Sequence, residues 1–143
     1  MNDQITKEIE VMKMVNDLLE KTSNPDSPEC PFWEDSTRAL YLAIGYLLID
    51  FEEEDLNFTN MLKYIQMGRL DDNVKEPVKT PLDIKFENAK KKQEEEIELG
   101  TRNYKSEAFI KYDNFKLADV KTVQSILISA SVRINKYQKM NMK

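Results

Sequence analysis

Apolar residues recur every three to four positions along several stretches of this chain, which is the spacing of amphipathic α-helices. The first such stretch runs from about Asp3 to Lys21 and predicts a buried face consisting of Ile5, Ile9, Met12, Val15 and Leu19. The last runs near 119–138 and predicts an apolar stripe consisting of Val120, Val123, Leu127, Ala130, Ile134 and Tyr137. Each stretch therefore predicts a helix with one face in a core.

The second stretch differs because its apolar residues are not confined to one face. It begins near Pro31, and between Ala39 and Ile49 it is apolar nearly all round. A helix of this kind is typical of the centre of a bundle, so we expect a central apolar helix near 33–51. Gly45 lies within it, and glycine costs a helix about 1 kcal/mol relative to alanine, which predicts a close helix contact at that position.

Three shorter helices complete the prediction. One spans about Phe58 to Met67, with Asn57 as its N-cap and Gly68 just past its end. The next begins at Thr80-Pro81-Leu82-Asp83, a capping-box pattern, and continues to Gly100. A third covers about 106–115, and the connection 69–79 looks polar and mobile. The pattern thus predicts an all-α fold, a compact bundle of about six helices in a single domain, 1–143, with no convincing strand.

Charge is distributed unevenly along the chain, whose formal net charge is −5. Residues 101–143 contain 9 Lys and Arg against 3 Asp and Glu, while residues 1–100 contain the remaining 12 of 21 basic and 23 of 26 acidic residues. On the last helix the basic residues Lys121, Arg133, Lys136, Lys139 and Lys143 lie opposite the apolar stripe, joined by Thr122, Ser125 and Ser129. This face is either a docking surface for nucleic acid or an acidic protein, or an ordinary scatter of charge over exposed helix positions.

The residues that most often carry enzyme chemistry are missing or isolated. The chain has no histidine, no phosphate-binding glycine loop and only 3 glycines. Its single cysteine, Cys30, has no histidine partner and forms no internal disulfide. The acidic run 52–55 lacks the spacing of a calcium loop, and Trp33 is interpreted as a core or staple aromatic rather than a stacking platform. We therefore expect no catalysis, no metal and no cofactor. Because the longest uncharged run is far shorter than the ~20 residues of a membrane span, we expect a soluble chain.

Two stretches of the sequence together resemble a known family. The first is Pro-Phe-Trp-Glu at 31–34, followed by Asp-Ser-Thr-Arg-Ala-Leu and the apolar run through Leu48. The second covers 109–134, from Phe-Ile-Lys-Tyr-Asp-Asn-Phe-Lys-Leu-Ala to Val-Arg-Ile. With the intervening Phe58-x-x-Met61-Leu62 and Thr80-Pro81-Leu82-Asp83-x-x-Phe86, they resemble the all-α domain of type IV coupling proteins, the VirD/TraG-type ATPases of conjugation and type IV secretion. The resemblance is greatest to those of Gram-positive mobile elements and covers nearly the whole chain. Cys30 and Asp35 depart from the pattern, where Asp and Lys are common.

The resemblance implies a larger parent protein. In the family, this domain is inserted into a RecA-like motor, between its phosphate-binding and magnesium-binding motifs, and the hexameric motor is anchored in the membrane by an N-terminal segment. The domain faces the cytoplasm, where it engages the relaxase, accessory relaxosome proteins and DNA awaiting transfer. The present chain would then be an excised domain that is not itself an enzyme and makes no direct membrane contact, while its parent is an ATPase.

The sequence therefore predicts a substrate-recognition domain that docks the relaxosome to the transfer ATPase. We expect Lys121, Arg133, Lys136 and Lys139 to contact DNA, weakly and without sequence preference, or an acidic partner surface. Two alternatives remain open. The domain is a purely protein-binding adaptor with no DNA contact, or it is a structural brace whose basic helix faces a neighbouring subunit of the hexamer.

Overall fold

The computed structural model describes residues 3–23, 31–51, 54–71, 73–74, 76 and 78–141 of the chain. Within these residues the chain forms six α-helices and no strand, which confirms the predicted all-α bundle. The helices are α1 (Asp3–Thr22), α2 (Pro31–Phe51), α3 (Phe58–Met67), α4 (Pro81–Glu98), α5 (Ala108–Phe115) and α6 (Val120–Met140). Cys30 and Lys143 lie outside the described residues.

Local capping determines where three of the helices begin. Asn57 accepts a hydrogen bond from the Asn60 amide at the start of α3. At α4 both halves of the capping box form, since the Asp83 amide donates to the Thr80 hydroxyl and the Thr80 amide donates to the Asp83 carboxylate. Asp119 accepts from the Thr122 amide at the start of α6. These contacts satisfy amide groups that have no partner within the helix, so the sequence sets the helix starts directly.

Helix α2 is the centre of the bundle, as its apolar sequence predicts. Every residue from Ser36 to Leu48 except Arg38 is buried, and α1, α3, α4, α5 and α6 all pack against this helix. Its contact with α1 is close at Gly45, where an added Cβ atom would lie 2.6 Å from Val11 Cγ1. The absence of a side chain at Gly45 therefore allows the two helices to approach, and the predicted close contact is confirmed. Trp33 is half-buried and packs against the core.

Helix α1 presents a different face to the core from the one predicted. Val15 and Leu19 are buried as expected, but Ile5, Ile9 and Met12 are 48%, 41% and 46% exposed. The residues buried in their place are Val11, Leu18 and Thr22. At 100° per residue, this is a rotation of roughly 75° about the helix axis. The prediction was wrong because the side chain that meets Gly45 is Val11, and this tight contact orients the helix.

Polar contacts join the connection after α4 to α1 and α2. The Asp50 carboxylate accepts hydrogen bonds from Gln4 Nε2, at 2.7 Å, from the Tyr104 hydroxyl, at 3.3 Å, and from the Ser106 hydroxyl. The Ser106 amide donates to Gln93 Oε1 of α4, at 2.6 Å. Because both polar groups of Ser106 are held by other elements, α5 begins at Ala108, two residues later than predicted.

Candidate functional site

The basic residues predicted on α6 do not form one cluster. Lys121, Lys136 and Lys139 are exposed. Lys121 and Lys139 are separated by five helical turns, or about 27 Å along the axis. A small ligand therefore cannot touch both ends of this row, and only an extended surface could contact all three lysines.

Arg133 is not on the exposed basic face, and this part of the prediction was wrong. Its side chain is 9% exposed and reaches from α6 to α1 and α2. The guanidinium donates to Glu34 Oε2 at 3.1 Å, to Thr22 Oγ1 at 2.8 Å and to the Leu19 carbonyl at 3.0 Å. A buried cation needs such partners, because an unpaired charge in the core is strongly unfavourable. Arg133 thus joins α6 to α1 and α2 and is inaccessible to a partner.

Two apolar side chains interrupt the exposed row of lysines. Ile128 is 43% exposed and Val132 is 59% exposed, and both lie on the same side of α6 as Lys121 and Lys139. Ser125 and Ser129 are half-buried beside them. The outer face of α6, defined here as Lys121, Ile128, Val132, Lys136 and Lys139, is therefore mixed rather than purely basic.

A groove of about 850 Å³ lies beside the start of α6. Its walls come from the beginning of α4, from α5 and from the first turns of α6, and we call it the aromatic groove. Its apolar lining includes Phe86, Phe109, Tyr112, Val120 and Val123. Phe86 and Tyr112 are stacked, with ring centroids 3.8 Å apart. The groove could not be predicted from the periodicity of single helices, because its lining depends on how α4, α5 and α6 pack together.

Four of the eight charged residues that line the aromatic groove form two ion pairs. Lys116 Nζ lies 3.2 Å from Asp83 Oδ1, and Lys79 Nζ lies 2.9 Å from Glu87 Oε1. The Tyr112 hydroxyl donates to Asp83. Burial alone would raise the pKa of Asp83, but hydrogen bonds from the Thr80 amide and Tyr112 and the charge of Lys116 hold it below its usual value. Burial, followed by the hydrogen bond to Asp83, raises the pKa of Tyr112.

A second groove, of about 620 Å³, adjoins the first and shares part of its lining. We call it the arginine groove, and the residues common to both grooves are Leu70, Val120, Lys121 and Gln124. The Gln124 side chain holds the chain segment after α3 against α6, since Nε2 donates to the Gly68 carbonyl and Oε1 accepts from the Leu70 amide, both at 2.9 Å. The part of 69–79 next to α6 is thus anchored at Leu70.

Arg69 lies in the arginine groove and was not identified from the sequence. Its Nε atom is buried and has no hydrogen-bond partner among the described residues. Lys121 and Ser125 line the same groove, so a predicted contact residue, Lys121, lies next to this unpartnered donor. The only sequence signal was the position of an arginine immediately after the glycine that ends α3.

Within the described residues, no group of His, Cys, Asp or Glu side chains is arranged to hold a metal ion. No helix in that part of the chain is both long enough and apolar enough to cross a membrane. Comparisons with protein-family models, with curated proteins and with solved structures found no match to this chain.

Proposed function

We propose that this chain is a substrate-recognition domain of a type IV coupling protein, which docks the relaxosome to the ATPase that drives conjugative transfer. The observation that carries the proposal is the pair of sequence stretches at 31–48 and 109–134, which resemble the family in order and spacing. On this proposal the domain acts by binding, its parent protein is a hexameric ATPase at the cytoplasmic membrane, and the domain faces the cytoplasm.

The two resembling stretches pack against each other. Glu34 of the first pairs with Arg133 of the second, and the buried Tyr41 hydroxyl donates to the Ala130 carbonyl at 2.7 Å. Residues that carry the resemblance are therefore residues that hold α2 and α6 together. This is the pattern expected if the resemblance reflects a shared core, with the docking surface formed outside that core.

The outer face of α6 is the surface we assign to docking. Its length matches an extended partner such as a DNA backbone or a protein surface, because Lys121 and Lys139 lie about 27 Å apart along the axis. Contact with DNA would be electrostatic, sequence-independent and weak, with micromolar or lower affinity, since three lysines neutralise few phosphates and the chain as a whole is acidic.

One observation favours a second candidate, a purely protein-binding adaptor. Ile128 and Val132 lie exposed between the lysines, and an apolar pair at this position would gain nothing from a phosphate backbone. A protein partner with apolar residues flanked by acidic ones would use both kinds of side chain. On this second candidate, DNA affinity is absent and binding depends on Val132 as much as on the lysines.

The two candidates are separated by titration with a fluorescein-labelled 20-base-pair duplex, measured by anisotropy between 50 and 200 mM NaCl. For the docking role with DNA contact, replacing Lys121, Lys136 and Lys139 by glutamine should reduce the slope of log affinity against log salt by about two to three. The matched control replaces Lys90, Lys91 and Lys92 of α4, which are also exposed and carry the same charge. Equal losses in both triple variants would remove the assignment to α6, and no measurable binding by the native chain would favour the adaptor.

The family assignment has its own test, which is the sequence of the gene on either side of this segment. A phosphate-binding loop encoded upstream and an acidic magnesium motif downstream would support a coupling protein. An open reading frame without either motif would overturn the assignment, whatever the DNA titration shows.

A further inference from the structure

The arginine groove contains a buried cationic donor that nothing in the described fold satisfies. Arg69 Nε has no hydrogen-bond partner among the described residues, and no ion pair there involves Arg69 or Lys121. Leaving a buried donor without a hydrogen-bond partner is unfavourable, and more so when the group is charged. Buried polar groups in native proteins are normally hydrogen-bonded, and the residues around Arg69 favour an anionic partner for it.

The neighbours of Arg69 are suited to a carboxylate. Lys121 adds a second positive charge, and Ser125 adds a half-buried hydroxyl group. Asp71 is the one acidic residue in the lining of this groove, and it is exposed. A guanidinium forms two parallel hydrogen bonds with a carboxylate, which gives both strength and orientation.

The adjoining aromatic groove determines what kind of molecule carries that carboxylate. Its lining is rich in Phe, Tyr and Val, and two of its lysines are already paired with Glu87 and Asp83. A polyphosphate backbone would meet apolar surface and further acids there, namely Asp113 and Asp119. A peptide whose apolar side chain is followed by an acidic one could fill both grooves.

We propose that the aromatic and arginine grooves form one docking site for an acidic peptide segment of a partner protein. An apolar side chain of the segment enters the aromatic groove, and a carboxylate binds Arg69, Lys121 and Ser125. The α6 residues that line the two grooves together run from Val120 to Ile128, about 12 Å along the helix axis, which an extended peptide spans in three to four residues. The segment therefore has an apolar residue three or four positions from an acidic one.

This site lies beyond the proposed function, since it is formed by grooves rather than by the outer face of α6. Lys121 and Ile128 are the only two residues that belong to both surfaces. Replacing Lys136 and Lys139 by glutamine should weaken DNA binding and leave peptide binding unchanged, and replacing Arg69 should do the reverse. Loss of peptide binding alone would therefore point to the grooves, and loss of DNA binding alone would point to the outer face of α6.

The test is an anisotropy titration of the whole chain with a fluorescein-labelled ten-residue peptide containing Phe and Leu three positions before an Asp-Glu pair. A control peptide has two lysines in place of the Asp-Glu pair. We expect the acidic peptide to bind at least tenfold more tightly than the control. Arg69→Met should weaken its binding about tenfold, Lys121→Gln several-fold, and Lys139→Gln not at all. Amide resonances of Leu70, Gln124 and Ser125 in ¹⁵N-labelled protein should shift on titration.

A second measurement separates a binding role from a structural one. Because the Nε–H of Arg69 is unsatisfied, Arg69→Met should leave the urea midpoint unchanged or raise it. A lower midpoint would show that Arg69 serves the fold, and the proposal would be wrong. Any of three results would overturn the docking proposal. These are equal binding of the two peptides, absence of peptide binding at 1 mM, and displacement of the peptide by an equal concentration of a ten-nucleotide single-stranded DNA.

Discussion

Replacing Arg133 by methionine removes a guanidinium that joins three helices while it retains most of the side chain's apolar volume. In the native fold this group donates to Glu34 of α2 and to Thr22 and the Leu19 carbonyl of α1. Leu19 lies in the last turn of α1, where backbone carbonyls depend on donors outside the helix. The substitution leaves this carbonyl and the Glu34 carboxylate without their charged partner.

The expected loss of stability follows from the burial of these groups. A hydrogen bond to a charged group contributes about 1.5–3 kcal/mol, and breaking a fully buried ion pair costs about 3–5 kcal/mol. The Glu34 side chain is 27% exposed, so water can restore part of its solvation. We therefore expect Arg133→Met to reduce the free energy of unfolding by about 2–4 kcal/mol. For a chain of this size the urea midpoint falls by about 1–2 M.

The measurement is urea unfolding followed by circular dichroism at 222 nm, with Lys136→Met as the matched control. Lys136 is an exposed cation on the same helix, so its replacement should change stability by no more than about 0.5 kcal/mol. If the two variants unfold at the same urea concentration, Arg133 is solvated, as the sequence pattern alone predicts, and the buried pair is refuted. In the double variant with Glu34→Leu, the loss should be smaller than the sum of the two single losses.

Three further predictions concern the core and the cap of α4. Gly45→Ala should destabilise the fold by about 1–3 kcal/mol despite the better helix propensity of alanine. Adding Val11→Ala to the same chain should recover part of this loss. If the shifts in urea midpoint of the two single variants simply add in the double variant, the close contact is refuted. Tyr41→Phe should cost about 1 kcal/mol by removing the bond to Ala130, and an unchanged melting curve would contradict it. Asp83→Asn should lower stability at pH 7 but not in strong acid. The folded-state pKa lies below the unfolded value of 3.8, so the carboxylate stabilises the fold above that pH and the contribution disappears as pH falls through the folded pKa. A constant difference between the two proteins across this range would exclude the cap as its cause.

The starts of α3, α4 and α6 could be predicted from the sequence because each depends on residues within one turn. Thr80 and Asp83 contact each other across three positions, and Asp119 and Thr122 do the same. The orientation of α1 could not be predicted in this way. Two overlapping apolar stripes exist on that helix, and only the distant Gly45 selects the one that includes Val11.

Less of the candidate site could be predicted, because several of its residues are placed by contacts with residues far away in the sequence. Lys136 and Lys139 lie on the outer face of α6 as periodicity requires, but Arg133 lies at the border between the apolar and basic faces. Its burial depends on Glu34, which is 99 positions away in the chain. Arg69 is held beside α6 because the amide of the next residue, Leu70, donates to the Gln124 side chain, which is 54 positions away. Periodicity along one helix contains no information about such partners.

The placement of these charges has a consequence for how partners are selected. Glu34 and Arg133 belong to the two stretches on which the proposed family assignment rests, and they pair with each other inside the bundle. Arg69, Lys136 and Lys139 lie outside those stretches, and substitutions there alter surface charge without disturbing the core. The buried Glu34–Arg133 pair and the exposed charges are thus different residues, although Lys121, Ser125 and the groove aromatics Phe109 and Tyr112 belong both to the stretch 109–134 and to the proposed docking surfaces. A related chain could therefore keep the Glu34–Arg133 pair and bind a different partner, and its specificity should follow the side chains at 69, 136 and 139.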